Sequence, residues 1–314
     1  MRLQKAARLA SLAAYVNMTV AAVFVVAASI NGVDIGIRGL PAALTLMLLA
    51  SLYWVQRRHE RTEGDERLAN TAGAMMILSV GGLAGGLVCL LGQTFALPFI
   101  DPILHRADSA LGVDLESVIR GVLRIPGFAL FLASAYLSSF PIIFTTILIL
   151  PWIGRGERAW ELCFAFNLCL LAAAIASAII PAVGSFDYLP IPSAMQKLLP
   201  AGAGTYYLRD LYALRTTHRF IIDPTKLQGV AVFPSFHAML GLMTAAAWRD
   251  VRSVRLPMSI WQGVVILSAI PIGGHYLVDL LAGSLCWAFV YFLWRFVLDR
   301  EWLREGQLPL ADTR

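Results

Sequence analysis

The sequence predicts an all-α, polytopic integral membrane helix bundle of about eight transmembrane helices, with both termini in the cytoplasm. Its 314 residues are 58% hydrophobic and only 14% charged, and the mean hydropathy is +0.70. Soluble domains are about half apolar and a quarter charged, so this chain lacks the polar residues to cover a water-facing surface. Apolar runs also recur at the length that crosses a bilayer. These observations exclude intrinsic disorder, collagen and an ordinary soluble enzyme.

Eight apolar runs are the candidate spans, and the second and seventh are short enough to be tilted or partly interfacial. The first run follows three basic residues, as a secretory signal does. It is longer than the roughly 7–15 residues of a signal core, so we interpret it as an uncleaved anchor. The runs are residues 10–30, 39–55, 72–98, 127–152, 162–184, 229–248, 257–273 and 276–298.

The basic residues predict the orientation, because cytoplasmic loops of membrane proteins are enriched in Lys and Arg. They cluster at the N-terminus and after the second, fourth, sixth and eighth runs, which is one side of the membrane if both termini are cytoplasmic. This distribution also accounts for the net charge of +5 and gives no reason to expect a nucleic-acid partner. Since no repeat or polar linker divides the chain, residues 1–314 are predicted to form a single membrane domain, with a catalytic core at about 190–298.

Two further segments are assigned packing roles. The segment Gly81–Gly86 contains two overlapping GxxxG pairs, which predict close helix packing and no chemistry. Residues 101–124 have apolar residues at helical spacing and are expected to lie along the outer membrane surface, in contact with lipid or packed on the bundle. All the cysteines lie inside apolar runs without CxxC spacing and are predicted to be buried thiols. They are Cys89, Cys163, Cys169 and Cys286.

Two histidines interrupt apolar runs, where ionisable residues are costly and tend to be functional. His237 follows Pro234-Ser235-Phe236, and His275 follows Gly273-Gly274. Asp279 is four residues after His275, which places the two on one helix face. A carboxylate there would accept a hydrogen bond from one ring nitrogen and leave the other basic and nucleophilic. An even number of spans puts both histidines on the extracytoplasmic face, and we expect their rings to lie within about 10 Å.

The surroundings of the two histidines predict an anion site. Ser235 is suited to capping a helix, and the two glycines before His275 allow the backbone to bend into another helix start. Helix N-termini present free N–H groups and positive partial charge, and phosphate is their usual guest. The preceding loop adds cations that suit a phosphate clamp. They are Lys197, Arg209, Arg215, Arg219 and Lys226.

These segments resemble the type-2 phosphatidic acid phosphatase superfamily, whose signatures are KxxxxxxRP, PSGH and SRxxxxxHxxxD. Pro234-Ser235-Phe236-His237 is similar to the second signature, with Phe in place of Gly, and Ser268, His275 and Asp279 match the third. The form PSFH followed by GGHYLVD resembles the branch that includes inositol phosphorylceramide synthases and their bacterial relatives. The resemblance is sharp over about 205–285 and extends more loosely to the stretch DPILHRADSALGVD.

The chain departs from the family signatures at two places. The third signature has an arginine where this sequence has Ala269, and no Lys precedes an Arg-Pro at the spacing of the first. Arg215 is the best substitute for these phosphate-binding cations, and Arg209 is second. The departures leave the histidine chemistry intact and put the phosphate-binding shell, and therefore the substrate, in question.

The resemblance implies a mechanism that needs no metal or other cofactor. His275 would attack the phosphorus of a lipid phosphate or phospholipid and form a phosphohistidine, with Asp279 orienting the ring. His237 would protonate the leaving alcohol and then deprotonate the acceptor, which is water in a phosphatase and an alcohol such as inositol in a phosphotransferase. Arg215, Ser235 and Arg209 would hold the phosphoryl oxygens. The location implied is a bacterial inner membrane, with membrane lipids as partners and the site facing the periplasm or exterior.

Other interpretations of the same residues remain open at this point. His237, His275 and Asp279 could bind zinc, although nothing like HExxH accompanies them. A serine protease built on Ser235 has less support, since no GxSxG segment is present. A proton-coupled transporter could use the His/Asp pair as a relay. The relay requires these groups near the middle of the membrane, whereas the enzyme requires them near one surface.

Overall fold

The computed structural model describes residues 2–37, 63–189, 191–216, 219–222 and 229–305. Within these ranges the regular secondary structure is helical apart from one pair of short parallel strands, β1 (Asp34–Ile37) and β2 (Arg219–Ile222). The all-α prediction is therefore confirmed. The helices are α1 (Arg2–Ile30), α2 (Glu63–Gln93), α3 (Asp101–Ala110), α4 (Leu115–Leu123), α5 (Phe128–Ile149), α6 (Gly156–Ile179), α7 (Ser185–Tyr188), α8 (Ser193–Gln196), α9 (Leu208–Thr216), α10 (Phe236–Ala247), α11 (Arg252–Ser268) and α12 (Leu277–Glu305).

Five helices in the described ranges are long and apolar enough to cross a membrane, which identifies an integral membrane protein. They are α1, α2, α5, α6 and α12 up to Val297. The sixth apolar run forms only the 12-residue helix α10, because residues 229–235 are non-helical. The seventh run corresponds to α11, which has the predicted 17 residues but begins and ends five residues earlier, because residues 269–276 are non-helical. The second run, 39–55, lies outside the described residues. The number of spans and their orientation stay predictions.

Helix α6 is the centre of the packing. It contacts α1, α2, α10 and α12, while α10 also packs on α5, α11 and α12. Close approach of α2 and α6 depends on small residues in α2. A side chain at Gly85 would come within 2.6 Å of Leu170, and one at Gly81 would overlap Asn167. The predicted packing role is thus confirmed for Gly81 and Gly85.

Buried amide side chains also join these helices, as expected where lipid cannot supply hydrogen-bond partners. Nδ2 of Asn17 in α1 donates to both O and Oδ1 of Asn167 in α6, each at 3.0 Å. Nε2 of Gln93 at the end of α2 donates to O and Oγ of Ser177, at 3.0 and 2.9 Å. The four cysteines are unpaired thiols, and all are buried except Cys286, which is half-buried.

The bundle has two chemically different ends. The charged end joins the start of α6 to the end of α10 through a network in which Glu161 accepts from Arg249 at 2.9 and 2.7 Å and from Arg158 at 2.7 Å. Lys5 Nζ donates to Val297 O at 3.2 Å, which brings the start of α1 to the last part of α12. The other end, called here the histidine end, contains α3 and the segments that precede α10 and α12.

Candidate active site

His275 lies two residues before α12 and is almost fully buried, with 4% of its surface exposed. Its Nδ1 is 3.2 Å from Oδ2 of Asp279, and the same oxygen accepts the N–H of Tyr276 at 2.9 Å. The two residues therefore do not share a helix face as predicted. Asp279, from the first turn of α12, reaches back over the helix N-terminus instead. Because a carboxylate only accepts hydrogen bonds, Nδ1 carries the hydrogen and Nε2 is the unprotonated nitrogen.

Ser235 joins the start of α10 to this pair. It is the N-cap of α10, where its Oγ accepts the N–H of Ala238 at 3.4 Å, and that Oγ lies 3.4 Å from Nε2 of His275. Its own N–H donates to the backbone oxygen of Asp279 at 3.0 Å. A side chain at Gly283 would overlap the backbone oxygen of Ser235, so α12 passes very close to this cap. The predicted capping role of Ser235 is confirmed.

His237 lies in the first turn of α10 and is held by aromatic contacts. Its ring stacks on Tyr136 of α5, with centroids 3.9 Å apart and 19° between the planes. The hydroxyl of Tyr136 is 3.0 Å from that of Tyr206, and burial raises the pKa of Tyr206, which keeps it protonated at neutral pH. The centroids of His237 and His275 are 6.3 Å apart, within the distance expected from the sequence.

Both histidines line a cavity of about 840 Å³ that lies between α2, α5, α6 and α10. Its polar lining includes the two histidines, Tyr136 and Tyr206, and most of the remaining wall is apolar. Gly82 and Gly86 of α2 are part of that wall, so the prediction that packing alone explains the glycine segment is wrong for this second pair. The larger apolar lining residues include Leu78, Leu83, Phe140, Phe144, Phe166 and Leu170.

Only one of the two predicted helix N-termini is open to an anion. At the start of α12, Asp108 accepts the N–H groups of Leu277 and Val278 at 2.8 and 2.9 Å. The expectation of free N–H groups there is wrong, because a carboxylate already occupies them. At the start of α10, the N–H groups of Phe236 and His237 have no acceptor among the described residues. These amides belong to residues that line the cavity.

The two cations predicted to replace those of the family signature, Arg215 and Arg209, lie elsewhere, while Lys226 and the side chain of Arg219 are outside the described residues. Nη2 of Arg215 donates to Leu97 O at 2.6 Å, its guanidinium lies 4.0 Å from the ring centroid of Phe99, and burial lowers its pKa. Arg209 is exposed on α9. Neither residue lines the cavity, and no Lys or Arg does so within the part of the chain that the structure describes. Ala269, which replaces the arginine of the family signature, is completely buried.

Two carboxylates at this site were missed by the sequence analysis. Asp101 and Asp108 of α3 are buried, and both accept hydrogen bonds from backbone amides next to the histidine loop. The segment was expected only to pack or to contact lipid. Both residues share the face of α3 that buries Leu104, at spacings of three and seven. A charged residue repeated on an apolar face was the signal that could have identified them.

The alternative sites predicted from the same residues find little support. Among the described residues, no group of three or more His, Cys, Asp and Glu side chains is arranged to hold a metal ion. His237, His275 and Asp279 therefore do not form one ligand set. His275 precedes α12 and His237 lies in the first turn of α10, so neither histidine lies midway along a helix.

Comparison with known proteins gives one finding. The family model of the PAP2 superfamily matches residues 102–293, which is more than half of the chain. The matched region includes Asp108, His237, His275 and Asp279, and it begins one residue after Asp101. No curated protein and no solved structure matches the chain significantly.

Proposed function

Because this chain belongs to the PAP2 superfamily, we propose that it is a membrane lipid phosphatase or phosphotransferase that acts through a phosphohistidine on His275. Membership of the family supports phosphoric ester chemistry on lipid phosphates in general, and it gives no support to a transporter. The finer proposal depends chiefly on one observation. Asp279 holds Nδ1 of His275, and the same imidazole lines a cavity together with His237.

In the first step, Nε2 of His275 attacks the phosphorus of the lipid phosphoester. A P–N bond forms while the bond between phosphorus and the lipid alcohol oxygen breaks. Protonated His237 gives its proton to that leaving oxygen, so a neutral alcohol departs. The carboxylate of Asp279 offsets the positive charge on the phosphorylated imidazole, because it accepts the Nδ1 hydrogen at 3.2 Å.

In the second step, water or another alcohol attacks the phosphohistidine. Neutral His237 takes the proton of the attacking hydroxyl, an O–P bond forms, and the P–N bond breaks to restore His275. With a lipid phosphate, attack by water gives inorganic phosphate and attack by an alcohol gives a new phosphoester. With a phospholipid, the headgroup stays on phosphorus in either product. General acid–base work of this kind typically contributes about 10²–10⁴-fold to the rate.

The phosphoryl oxygens would be held mainly by neutral donors. The amides of Phe236 and His237 at the start of α10 and the hydroxyls of Tyr136 and Tyr206 surround the histidines. Backbone N–H groups at a helix start suit a phosphoryl group in which charge develops. Ser235 is buried behind His275 and acts on that ring. Arg215, together with Arg209 on the same helix, attracts the anionic substrate from outside the cavity.

The shape and lining of the cavity support a lipid substrate. If the phosphate lies between the histidines, the lipid attached to it would lie against a wall made largely of leucine, phenylalanine and glycine. Ligand cavities of about 300–1,000 Å³ with few polar groups are typical of binding sites that enclose most of an apolar ligand. We propose a lipid phosphate or phospholipid in the inner membrane of a bacterium, with the site facing the periplasm or exterior. The resemblance to inositol phosphorylceramide synthases favours an alcohol acceptor.

The proposal is tested with purified protein in detergent containing EDTA. Wild type, His275→Ala and the control His105→Ala are given phosphatidate, a prenyl phosphate and a sphingolipid phosphate, each with and without inositol. We expect phosphate or a new phosphoester from wild type and the control, and loss of both with His275→Ala. An acid-labile phosphoenzyme should form in wild type and the control and be absent from His275→Ala. Turnover that survives in His275→Ala, or that disappears with EDTA, would contradict the proposal.

A further inference from the structure

Helix α3 places two buried carboxylates against the loop that carries His275. Asp108 is 6% exposed, and each of its carboxylate oxygens accepts one backbone N–H. Oδ2 accepts from Leu277 at 2.8 Å and Oδ1 accepts from Val278 at 2.9 Å. These are the first two residues of α12, so Asp108 fixes where that helix begins. His275 is two residues earlier in the chain.

Asp101 acts on the same loop from the other end of α3. It has no exposed surface, and its Oδ1 accepts from the hydroxyl of Tyr276 at 3.1 Å and from the N–H of Gly184 at 2.8 Å. Its Oδ2 accepts the N–H of Val183 at 2.8 Å. Tyr276 directly follows His275, so Asp101 holds the C-terminal neighbour of His275.

Through Val183 and Gly184, Asp101 is also connected to Gly274, the residue before His275. Ser185, which follows Gly184, donates its N–H and its Oγ to the backbone oxygen of Gly274, both at 2.9 Å. Gly274 has a positive φ of 77°, and a side chain there would come within 2.8 Å of the backbone oxygen of Gly204, so the loop has little room to move on this side. Asp101 therefore reaches both neighbours of His275, one directly and one through Ser185.

All five partners of the two carboxylates are neutral hydrogen-bond donors, and neither carboxylate forms an ion pair with a described residue. Burying a carboxylate without a cation is costly. The acceptor-only chemistry of Asp fits this set, since an Asn at either position would turn an NH₂ group towards an N–H or O–H donor. The arrangement is therefore specific to a carboxylate at both positions.

We propose that Asp101 and Asp108 are positioning residues for His275, and that α3 clamps the loop on both sides of the nucleophile. This inference rests on the proposed function, because it takes His275 as the attacking group. The clamp fixes the backbone of His275, while Asp279 fixes its ring. Attack on phosphorus requires the nucleophile within a few tenths of an ångström of its productive place, and an error of about 1 Å can cost 10²-fold in rate.

The kinetic test uses Asp101→Asn and Asp108→Asn, with Tyr276→Phe as a milder variant that removes only the hydroxyl bond to Asp101. The matched control is Asp114→Asn, since Asp114 caps α4 by accepting the N–H of Ser117 at 2.9 Å and is exposed. With the best substrate of the lipid panel, we expect kcat to fall about 10- to 100-fold in the two Asn variants. We expect about a 2- to 10-fold fall in Tyr276→Phe. KM should stay within about twofold, since the clamp acts on the transition state.

A second readout does not depend on turnover. Amide hydrogen exchange over residues 272–280 and modification of His275 by diethyl pyrocarbonate, followed by mass spectrometry, report the order of the loop directly. Both should become several-fold faster in Asp101→Asn and Asp108→Asn and stay unchanged in Asp114→Asn. Unchanged exchange and modification would overturn the clamp, and so would a mobile loop with normal kcat. If wild type turned over no lipid, the proposed function would fail and the modification rates alone would decide whether α3 holds His275.

Discussion

The two histidines of the cavity have environments that suit different roles. His275 is fixed through Nδ1 by Asp279, which leaves Nε2 as a nucleophile of constant orientation. His237 is half-buried, stacks on Tyr136, and has no carboxylate partner among the described residues. A ring held only by stacking can exchange a proton with a leaving or attacking oxygen on either nitrogen. This contrast predicts that His237 is dispensable for the first step when the leaving group needs no proton.

The change His237→Gln should therefore affect substrates unequally. With an alkyl phosphate, we expect the rate to fall about 10²–10⁴-fold, because the leaving alkoxide needs a proton. With an aryl phosphate such as p-nitrophenyl phosphate, the first step should remain fast while the second, which needs a base, is slow. The variant should then release a burst of about one nitrophenolate per enzyme, measured by stopped-flow absorbance.

The variants His275→Gln and His105→Gln complete this comparison. His275→Gln should give neither burst nor turnover with either substrate, and His105→Gln should resemble wild type, since His105 does not line the cavity. A burst in His275→Gln would assign the nucleophile to another residue. Equal losses on both substrates in His237→Gln would remove the general acid from the mechanism.

At the scale of the helix, α2 uses its two glycine pairs for different purposes. Gly81 and Gly85 face α6, where Asn167 and Leu170 leave no space for a side chain. Gly82 and Gly86 line the cavity instead. A Cβ atom at Gly82 would lie 3.5 Å from the ring of Phe166, which is an ordinary contact. Because Gly82 lines the cavity, a larger side chain there would take up space in it.

Replacing Gly82 with Leu should therefore change the preference for lipid chain length. We expect the ratio of kcat/KM for a long-chain phosphatidate to that for a short-chain one to fall about tenfold or more, since a few lost methylene contacts are worth about 1–3 kcal/mol. The comparison is made in mixed detergent micelles. Gly121→Leu is the matched control, because a Cβ atom at Gly121 on α4 would meet no atom within 4 Å and Gly121 lies outside the cavity. An equal loss for both chains would mean that the cavity does not hold the lipid chain.

The elements also show which features a single sequence can reveal. The histidine segments were identified from local sequence, because a His inside an apolar run is costly and Asp279 follows His275 by four residues. Helix α10 was predicted too long and α11 was placed five residues too late, since hydropathy does not distinguish apolar helix from the apolar non-helical residues 229–235 and 269–273. The contacts of Asp108 with Leu277 and Val278 join residues far apart in the chain, and no local pattern predicts such contacts.

No Lys or Arg among the described residues lines the cavity, and this too could not be predicted from a local pattern. Arg215 was chosen as the best substitute for the cations missing from the family signatures, yet α9 directs it to Leu97 O and the ring of Phe99. The neutral donors Tyr136 and Tyr206 belong to α5 and to the turn before α9, and their pairing at 3.0 Å follows from tertiary packing. The type of chemistry was therefore easier to predict than the residues that surround the two histidines.

At the scale of the whole molecule, the two ends of the bundle differ in charge, and the start of α1 and the last part of α12 lie at the charged end. The charged end contains the Arg158, Glu161 and Arg249 network, and Lys5 meets Val297, so the first and last described helices share an end. The histidine end contains α3 and the loop of His275. The basic residues near the charged end are those that the positive-inside rule assigns to the cytoplasm. The two ends should therefore be on opposite sides of the membrane.

This orientation predicts which introduced cysteines a membrane-impermeant maleimide will reach in intact cells. Two exposed serines mark the two ends. Ser193 lies in α8, before the cavity-lining residues Pro200–Ala203, and Ser253 lies in the first turn of α11, after Asp250. Ser193→Cys should be labelled from outside, and Ser253→Cys only after the cells are permeabilised. The unmodified chain gives the background, which should be low because its cysteines are buried or half-buried. The reverse pattern would place the histidines on the cytoplasmic side, where a lipid substrate would have to be presented from the inner leaflet.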